Sequence, residues 1–279
     1  MKIAVTGASG KLGQVVAERL AEEGHEVHRW DAVGQRAGDF TRVDLTDGGS
    51  VADAVHSVDD RHGGLDAIVH LGAIPAGGIE TDSATFHNNM TATFNVFQAA
   101  RRAGIRRIVH ASSETLLGIP FETPPPYVPV DERYPTRPES MYSVVKHLEE
   151  ELARKLARWD AELSITGLRF SNVMVPADYA EFGSWQDDPA RRAWNLWGYI
   201  DARDGAQAVS RALDAARPGY DTFVIAAADT VMRRPSAELA TEHLAGVEVT
   251  RALEGRESLL STQHARDVLG YEPQHSWLD

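Results

Sequence analysis

The sequence predicts an α/β fold: a doubly wound parallel sheet of the Rossmann type with a small C-terminal substrate lobe. Over the first 170 residues, short β-rich apolar runs alternate with longer segments of helical period. A glycine-rich segment lies between the first run and the first helix. After residue 170 the alternation weakens, so we expect a Rossmann core at 1–170 and a lobe at 171–279 that is interleaved with the last core elements.

The individual elements follow from period and composition. Segment 119–138 contains seven prolines and can continue neither a helix nor a central strand, so we expect an ordered loop or a lid there. Strands are predicted over 2–6, 26–30, 39–43, 66–71, 106–112, 163–170 and 222–226. Helices are predicted over 11–23, 50–61, 83–103, 141–159 and 204–216.

Composition narrows the functional classes. The net charge of −13 repels phosphate backbones and anionic lipids, so we expect a small-molecule partner, with no nucleic acid and no membrane. The chain has no cysteine, which excludes disulfides, thiolate metal sites and a cysteine nucleophile. Its histidines are scattered, His25 and His28 among them, and we predict no metal site. Without a signal-like or membrane-spanning segment, we expect a cytoplasmic protein.

The glycine-rich segment and the end of the second strand together predict a dinucleotide site. Glycines at 7, 10 and 13 allow a tight turn, backbone approach to a pyrophosphate and close helix–strand packing. A carboxylate at the strand end can accept hydrogen bonds from an adenosine ribose and would repel a 2′-phosphate, which favours NAD. Arg29 and Arg36 act against that preference, so NADP stays open, as does an ordinary strand–helix turn. The predicted cofactor-binding residues here are Gly7, Ser9, Gly10, Lys11, Leu12, Gly13 and Asp31.

Three further residues predict proton-transfer chemistry. Tyr142 and Lys146 are four residues apart on a predicted helix, so they share one face. A phenol with a pKa of about 10 is a poor base, but an adjacent ammonium and an oxidised nicotinamide stabilise its phenolate. Ser112 and Ser113 lie at the end of the fifth strand, at the edge of the sheet where ligands bind. We therefore predict a serine at this point, Tyr142 and Lys146 as catalytic, and Tyr142 and Lys146 also as cofactor contacts; a surface lysine beside a packed tyrosine is the alternative.

These motifs resemble the short-chain dehydrogenase/reductase superfamily, in particular its extended branch of NAD-dependent sugar epimerases, dehydratases and uronate dehydrogenases. Residues 6–13 (TGASGKLG) resemble TGxxGxxG, residues 112–118 (SSETLLG) resemble SSxxVYG and residues 168–172 (LRFSN) resemble LRxxN. Segments 44–45, 70–73, 89–95, 199–206 and 265–273 match further motifs in order. The resemblance implies a catalytic Ser113, a substrate contact by Asn172, and a homodimer through the helices at 83–103 and 141–159. It also implies cofactor contacts by Asp44, Leu45, Leu71, Gly72, Ala73 and Asn89.

Departures from the family pattern bear on the substrate. Nucleotide-sugar epimerases hold the diphosphate with an arginine just before the segment that resembles 199–206, where this chain has Trp197 and Gly198. Three substrate-contacting positions of uronate dehydrogenases, a serine, a histidine and an arginine, are Pro75, Thr115 and Ala180 here.

We therefore favour an NAD-dependent oxidoreductase acting on a hydroxyl or carbonyl of a free sugar or sugar-like compound, with a neutral polyol or aldose preferred. Glu114 follows the predicted catalytic serine and is a further candidate for contact with a sugar hydroxyl. Two alternatives stay open: a nucleotide-sugar epimerase or dehydratase with tightly bound NAD, and a non-catalytic NAD-responsive binding protein.

Overall fold

The computed structural model describes residues 1–34, 38–121 and 123–279, without the side chains of 59 and 60. The strands are β1 (Lys2–Thr6), β2 (Glu26–Asp31), β3 (Phe40–Arg42), β4 (Ala67–His70), β5 (Arg107–Ser113), β6 (Tyr127–Val128), β7 (Ser164–Phe170), β8 (Val173–Met174), β9 (Ile200–Asp201), β10 (Gly219–Ile225) and β11 (Glu248–Val249). The α-helices are α1 (Lys11–Glu22), α2 (Gly48–His62), α3 (Asp82–Arg102), α4 (Met141–Trp159), α5 (Ala190–Ala193), α6 (Ala202–Asp214), α7 (Ser236–His243) and α8 (Gln263–Leu269). Glu114–Leu117 and Pro176–Trp185 are 3₁₀ segments.

Seven strands form one parallel sheet in the order β10-β7-β5-β4-β1-β2-β3, which confirms the predicted Rossmann-type fold. The chain leaves β1 towards β2 and β3, then crosses back to place β4 on the other side of β1. Ligands of such sheets bind where the strand order reverses, outside the carboxyl ends of the strands. The loops that follow β1 and β4 therefore border the expected cofactor crevice.

The sheet is covered on both faces, because successive side chains of each strand point to opposite sides. On β1, Ile3 and Val5 pack with α1 and α6, whereas Ala4 faces the apolar layer supplied by α2, α3 and α4. All three residues are fully buried. This two-sided burial explains why the strands appear in the sequence as short continuous apolar runs.

The C-terminal residues build a separate apolar cluster and also complete the main sheet. The lobe cluster contains Trp185, Trp197 and Tyr199, while α6 and β10 return to the seven-stranded sheet. Within the described residues, the proline-rich segment is an ordered loop whose β6 pairs with β11. No helix in the described ranges is both long and apolar enough to cross a bilayer.

Candidate active site

The glycine-rich turn after β1 packs closely against the segment after β4. Gly7 has a φ of 68°, and a Cβ there would lie 2.7 Å from the backbone nitrogen of Gly72. A Cβ on Gly13 would lie 2.0 Å from the carbonyl oxygen of Gly7. A side chain at Gly7 would therefore push apart the two loops that border the crevice, and one at Gly13 would push the turn away from the start of α1.

The start of α1 suits a pyrophosphate. Gly10 caps this helix with no side-chain hydrogen bond, and its first turn carries no acidic residue. Backbone N–H groups at such a helix start, all within the described part of the chain, are available to an anion. Lys11 was predicted to contact the cofactor, and its ammonium group lies 2.7 Å from the Asp178 carboxylate. The side chain of Leu12, a second predicted contact, lies against α6 at Gly205.

Asp31 is held in place at the end of β2. Its carboxylate accepts hydrogen bonds from the backbone nitrogen of Ser9 at 2.9 Å and from that of Val33 at 3.2 Å. The acid is therefore fixed beside the glycine turn, where the ribose contact was predicted. Arg29 forms an ion pair with Asp39 at 2.9 Å, and Arg36 lies outside the described residues.

The segment after β4 is anchored by two buried polar side chains. The Thr6 hydroxyl accepts hydrogen bonds from the backbone nitrogens of Leu71 and Gly72, each at 3.2 Å. Asn89 accepts from the backbone nitrogen of Ile74 at 2.7 Å and donates to its carbonyl at 3.0 Å. The Asn89 side chain thus holds the loop that contains Leu71, Gly72 and Ala73 through hydrogen bonds to the backbone of Ile74.

Asp44 and Leu45 follow β3 on the same side of the sheet. The Asp44 carboxylate accepts hydrogen bonds from the backbone nitrogen and hydroxyl of Thr46 at 2.9 and 2.7 Å, and these lower the pKa of Asp44. If Gly72 carried a Cβ, that atom would lie 2.5 Å from Cδ1 of Leu45. Leu45 therefore reaches the crevice wall, while Asp44 stabilises its own turn.

Ser113, Tyr142 and Lys146 come together at the carboxyl edge of the sheet. Ser113 is the last residue of β5, and α4 begins at Met141, after a capping box formed by Ser140 and Ser143. The Lys146 ammonium lies 5.9 Å from the centre of the Tyr142 ring. Ser113, Tyr142 and Lys146 are at most 8% exposed.

The local charges set the protonation of the phenol. Burial raises the pKa of Tyr142, the Lys146 ammonium and a hydrogen bond with Ser113 act to lower it, and the net shift is upward. The Glu149 and Glu114 carboxylates add to the rise. Without a bound nicotinamide, then, the lysine alone does not bring this phenol below its ordinary pKa.

A buried carboxyl group adjoins the serine. Glu114 is 3% exposed, and Asn195 donates a hydrogen bond to its Oε1 at 3.4 Å. Burial raises the pKa of Glu114 to about 7, although the nearby Ser171 and Asn195 side chains and the backbone of Asn172 act to lower it. Among the described residues, Oε2 of Glu114 has no hydrogen-bond partner. Both predicted substrate contacts, Glu114 and Asn172, therefore lie beside Ser113.

The arginine nearest this acid is enclosed by aromatic rings. The Arg192 guanidinium lies 4.7 Å from the ring centre of Trp185 and 4.9 Å from that of Trp194. It also donates a hydrogen bond to the Gly198 carbonyl at 3.1 Å. Trp197, in the same turn, has a φ of 55°, a left-handed conformation that costs about 1 kcal/mol or more for such a residue. The lobe therefore holds this cation in a fixed, enclosed position.

One cluster of metal-ligating side chains forms in the described residues, at the opposite end of β2 from Asp31. A single Glu26 oxygen lies 3.2 Å from His28 and 2.9 Å from His62. Sequence spacing did not predict this cluster, because His62 lies at the end of α2 and reaches Glu26 only through the fold. These contacts are accounted for by ion pairing, and we assign no metal to them.

Several polar residues of the site were missed from the sequence. Glu149 is buried against Lys146, and its position three residues further along α4 was a readable signal. Thr6, Ser171 and Asn195 act through backbone or buried contacts that depend on packing between distant segments. Spacing along the chain offered no signal for these three.

The fold and this cluster define an extended short-chain dehydrogenase/reductase. The chain belongs to the NAD-dependent epimerase/dehydratase family, whose model matches residues 3–226. The resemblance seen in the motifs is thereby confirmed, and members of this family bind NAD.

Related proteins include both dehydrogenases and epimerases. An L-arabinose 1-dehydrogenase (NAD(P)(+)) of Haloferax volcanii is 30% identical over 78% of this chain and 84% of its own. A UDP-glucose 4-epimerase of Bacillus subtilis is 28% identical over 72% of this chain, which spans 60% of that relative's length. A short-chain dehydrogenase/reductase from Agrobacterium tumefaciens with bound NAD superposes with a TM-score of 0.73 at 24% identity, covering 99% of this chain and 94% of that one.

Proposed function

We propose that this protein is an NAD-dependent dehydrogenase that oxidises a hydroxyl group of a free, uncharged sugar or polyol. The observation that carries the proposal is the charge of the substrate side: a buried Glu114 carboxyl group with a free oxygen lies next to Ser113. Because the pKa of Glu114 is about 7, this group is ionised above that pH and would then repel a second anion, such as a uronate carboxylate or a diphosphate, whereas a sugar hydroxyl can hydrogen-bond to it in either form.

The position of the arginines supports a neutral substrate. Arg192 is 6% exposed, enclosed by two tryptophans and engaged with the Gly198 carbonyl. Its charge is partly offset by Glu114, which acts to raise the pKa of Arg192 against the lowering effect of burial. Arg191 is exposed and donates to the Ser184 carbonyl. Recognition of a diphosphate relies on accessible cations, so the enclosed position of Arg192 favours a substrate without a diphosphate.

The proposed mechanism assigns one task to each residue. Ser113 holds the reacting hydroxyl oxygen by a hydrogen bond, and Tyr142 as phenolate accepts its proton. Lys146 uses two of its three N–H donors on the Ala111 carbonyl and Glu149, at 2.9 and 2.8 Å, which leaves one for the ribose of a cofactor. Bound NAD would supply the acceptor for the hydride that leaves the carbon bearing this hydroxyl group.

Asp31 supports NAD over NADP. Two backbone N–H groups hold its carboxylate at the end of β2, where it would accept a hydrogen bond from a ribose hydroxyl and repel a 2′-phosphate.

We also propose a homodimer through α3 and α4, supported by the exposed apolar side chains of Phe94 and Leu148 on those helices.

The test is a turnover assay with matched substrates. Purified protein and NAD⁺ are presented with neutral aldoses and polyols, the corresponding uronates, and UDP-, GDP- and dTDP-sugars, while NADH absorbance and product identity are followed. We expect NADH to accumulate with a neutral sugar and not with its uronate. Tyr142→Phe should abolish that signal while retaining NADH binding.

Three results would contradict the proposal. A nucleotide sugar converted to its epimer without net NADH would establish the epimerase alternative, which is supported by the similarity to UDP-glucose 4-epimerase. Preferred oxidation of a uronate would show that Glu114 does not exclude anions. Cofactor binding with no turnover across the whole panel would favour the NAD-responsive binding protein.

A further inference from the structure

A carboxylate is buried beside Lys146. Its ammonium lies 2.8 Å from Oε2 of Glu149, and the two side chains are only 4% and 1% exposed. Because Glu149 is three residues further along α4, both side chains lie on the same face of the helix. Oε1 of Glu149 has no hydrogen-bond partner among the described residues, and Lys146 and the Thr93 side chain on α3 are the neighbours that act to lower the pKa of this carboxyl group.

A buried ammonium needs a nearby negative charge to stay protonated. Transfer of an unpaired charge from water into a protein interior costs several kcal/mol, and a buried lysine without a partner sheds its proton instead. In this chain burial acts to lower the pKa of Lys146, but the ion pair with Glu149 outweighs it and the pKa is raised. The same carboxylate acts to raise the pKa of Tyr142, about two turns earlier on α4.

The other ionisable groups around the pair do not take this role. His70 on β4 and His110 on β5 are neutral, because burial lowers the pKa of His70 well below its usual value and that of His110 to about 3. Glu150 on α4 accepts two hydrogen bonds from Arg169 on β7, at 2.9 and 2.8 Å. Glu114 lies on the Ser113 side of the phenol. Glu149 is thus the carboxylate in contact with the ammonium among these groups.

We propose that Glu149 is a positioning residue that acts through Lys146: its carboxylate keeps the buried ammonium charged and holds it one helical turn from the Tyr142 phenol. This proposal rests on the proposed function, in which Tyr142 and Lys146 serve the reaction. It adds that the proton-transfer centre is a buried triad of phenol, ammonium and carboxylate. The net charge of this triad is zero when the phenol is protonated.

The triad makes a sign prediction. Without the carboxylate, the buried ammonium releases its proton at lower pH, and the phenol then loses the positive charge that acts to lower its pKa. Glu149→Gln should therefore move the phenol titration to higher pH. At a pH below the midpoint, the phenolate fraction should fall about tenfold, the effect typical of one charge at close range.

The experiment reads the phenol directly and needs no substrate. Tyrosinate absorbance is titrated in the full-length protein, and the titration of Tyr142→Phe is subtracted to isolate the Tyr142 signal. The same subtraction is made for Glu149→Gln and for Glu149→Asp, which keeps the charge. Glu151→Gln is the matched control, because Glu151 is an exposed acid on the same helix that pairs with Arg154 and Lys155.

The expected result is a shift of the phenol titration to higher pH in Glu149→Gln, a smaller shift in the same direction in Glu149→Asp, and no shift in Glu151→Gln. Circular dichroism and NADH binding establish that each variant is folded; if the glutamine variant does not fold, the aspartate variant and its smaller shift decide. A folded Glu149→Gln whose phenol titrates as in the parent protein, or at lower pH, would overturn the proposal.

The same variants distinguish this proposal from the assignment of function. With any substrate found in the panel, the acid limb of the kcat profile should move together with the phenol titration, whereas a purely structural role for Glu149 would lower kcat at all pH values equally. If Tyr142→Phe keeps its turnover, the proposed function fails while the titration result still stands.

Discussion

Gly13 is the position where a single methyl group should most directly disturb the cofactor crevice. In Gly13→Ala the new Cβ would lie 2.0 Å from the carbonyl oxygen of Gly7, 2.8 Å from its carbonyl carbon and 2.9 Å from Cα of Ala8. All three atoms belong to the backbone, so rotation of a side chain cannot relieve the contact. The turn and the start of α1 must separate by more than 1 Å to reach the ordinary contact distance of about 3.5 Å.

Two opposing effects set the magnitude. Alanine inside a helix stabilises it by about 1 kcal/mol relative to glycine. Overpacking at a site that cannot relax costs about 1–3 kcal/mol, and the backbone contacts around Gly13 place the cost at the upper end. We expect a net loss of about 1–2 kcal/mol in the free energy of unfolding, and a loss of NADH affinity of about tenfold or more because the α1 N–H groups are displaced.

Both quantities are measurable without a substrate. Urea denaturation gives the free energy of unfolding, and NADH fluorescence titration gives the dissociation constant. Gly183→Ala is the control, because a Cβ there meets no atom within 4 Å. The reasoning is refuted if Gly13→Ala is as stable as the parent and binds NADH with unchanged affinity.

Four further predictions concern the site and the surface. Tyr142→Phe should lower turnover by about 10²–10⁴-fold, the range for a lost acid–base group, with NADH affinity within a few-fold in fluorescence titration. Asp31→Asn removes the charge that would repel a 2′-phosphate, so the ratio of kcat/KM for NAD to that for NADP should fall by about tenfold; an unchanged ratio would contradict the assignment. Because folded Glu114 keeps its proton up to a pKa of about 7, stability should fall as pH rises from the unfolded-state value of about 4.5 to about 7, by about 3 kcal/mol at most; urea denaturation should show that Glu114→Gln flattens this slope. Phe94→Lys combined with Leu148→Lys should convert a dimer to a monomer in light scattering, and an unchanged mass would exclude this interface.

Local patterns along the chain were sufficient for the main sheet and for the cofactor side of the site. The α-helices and the main-sheet strands of the first 170 residues were predicted to within a few positions because each is a continuous segment with its own apolar period, whereas the two-residue β6 was not predicted. Asp31 could be placed beside the glycine turn because parallel neighbouring strands end at one edge of the sheet. Likewise, Tyr142 and Lys146 share a face because a helix repeats every 3.6 residues.

Tertiary packing decided which polar groups come into contact when they lie far apart in the sequence. The contact of Lys11 with Asp178 joins residues that are 167 positions apart, and Asn195 reaches Glu114 across 81 positions. Burial also determines charge: Glu114 would be an ordinary carboxylate in water, and its pKa is about 7 only because the folded lobe removes solvent from it. The sequence by itself predicted the fold class and the grouping of Ser113, Tyr142 and Lys146 at one edge of the sheet, since these depend on local period and strand order. Only the tertiary structure decided the electrostatics of the site, because desolvation and long-range contacts exist only once distant segments pack together.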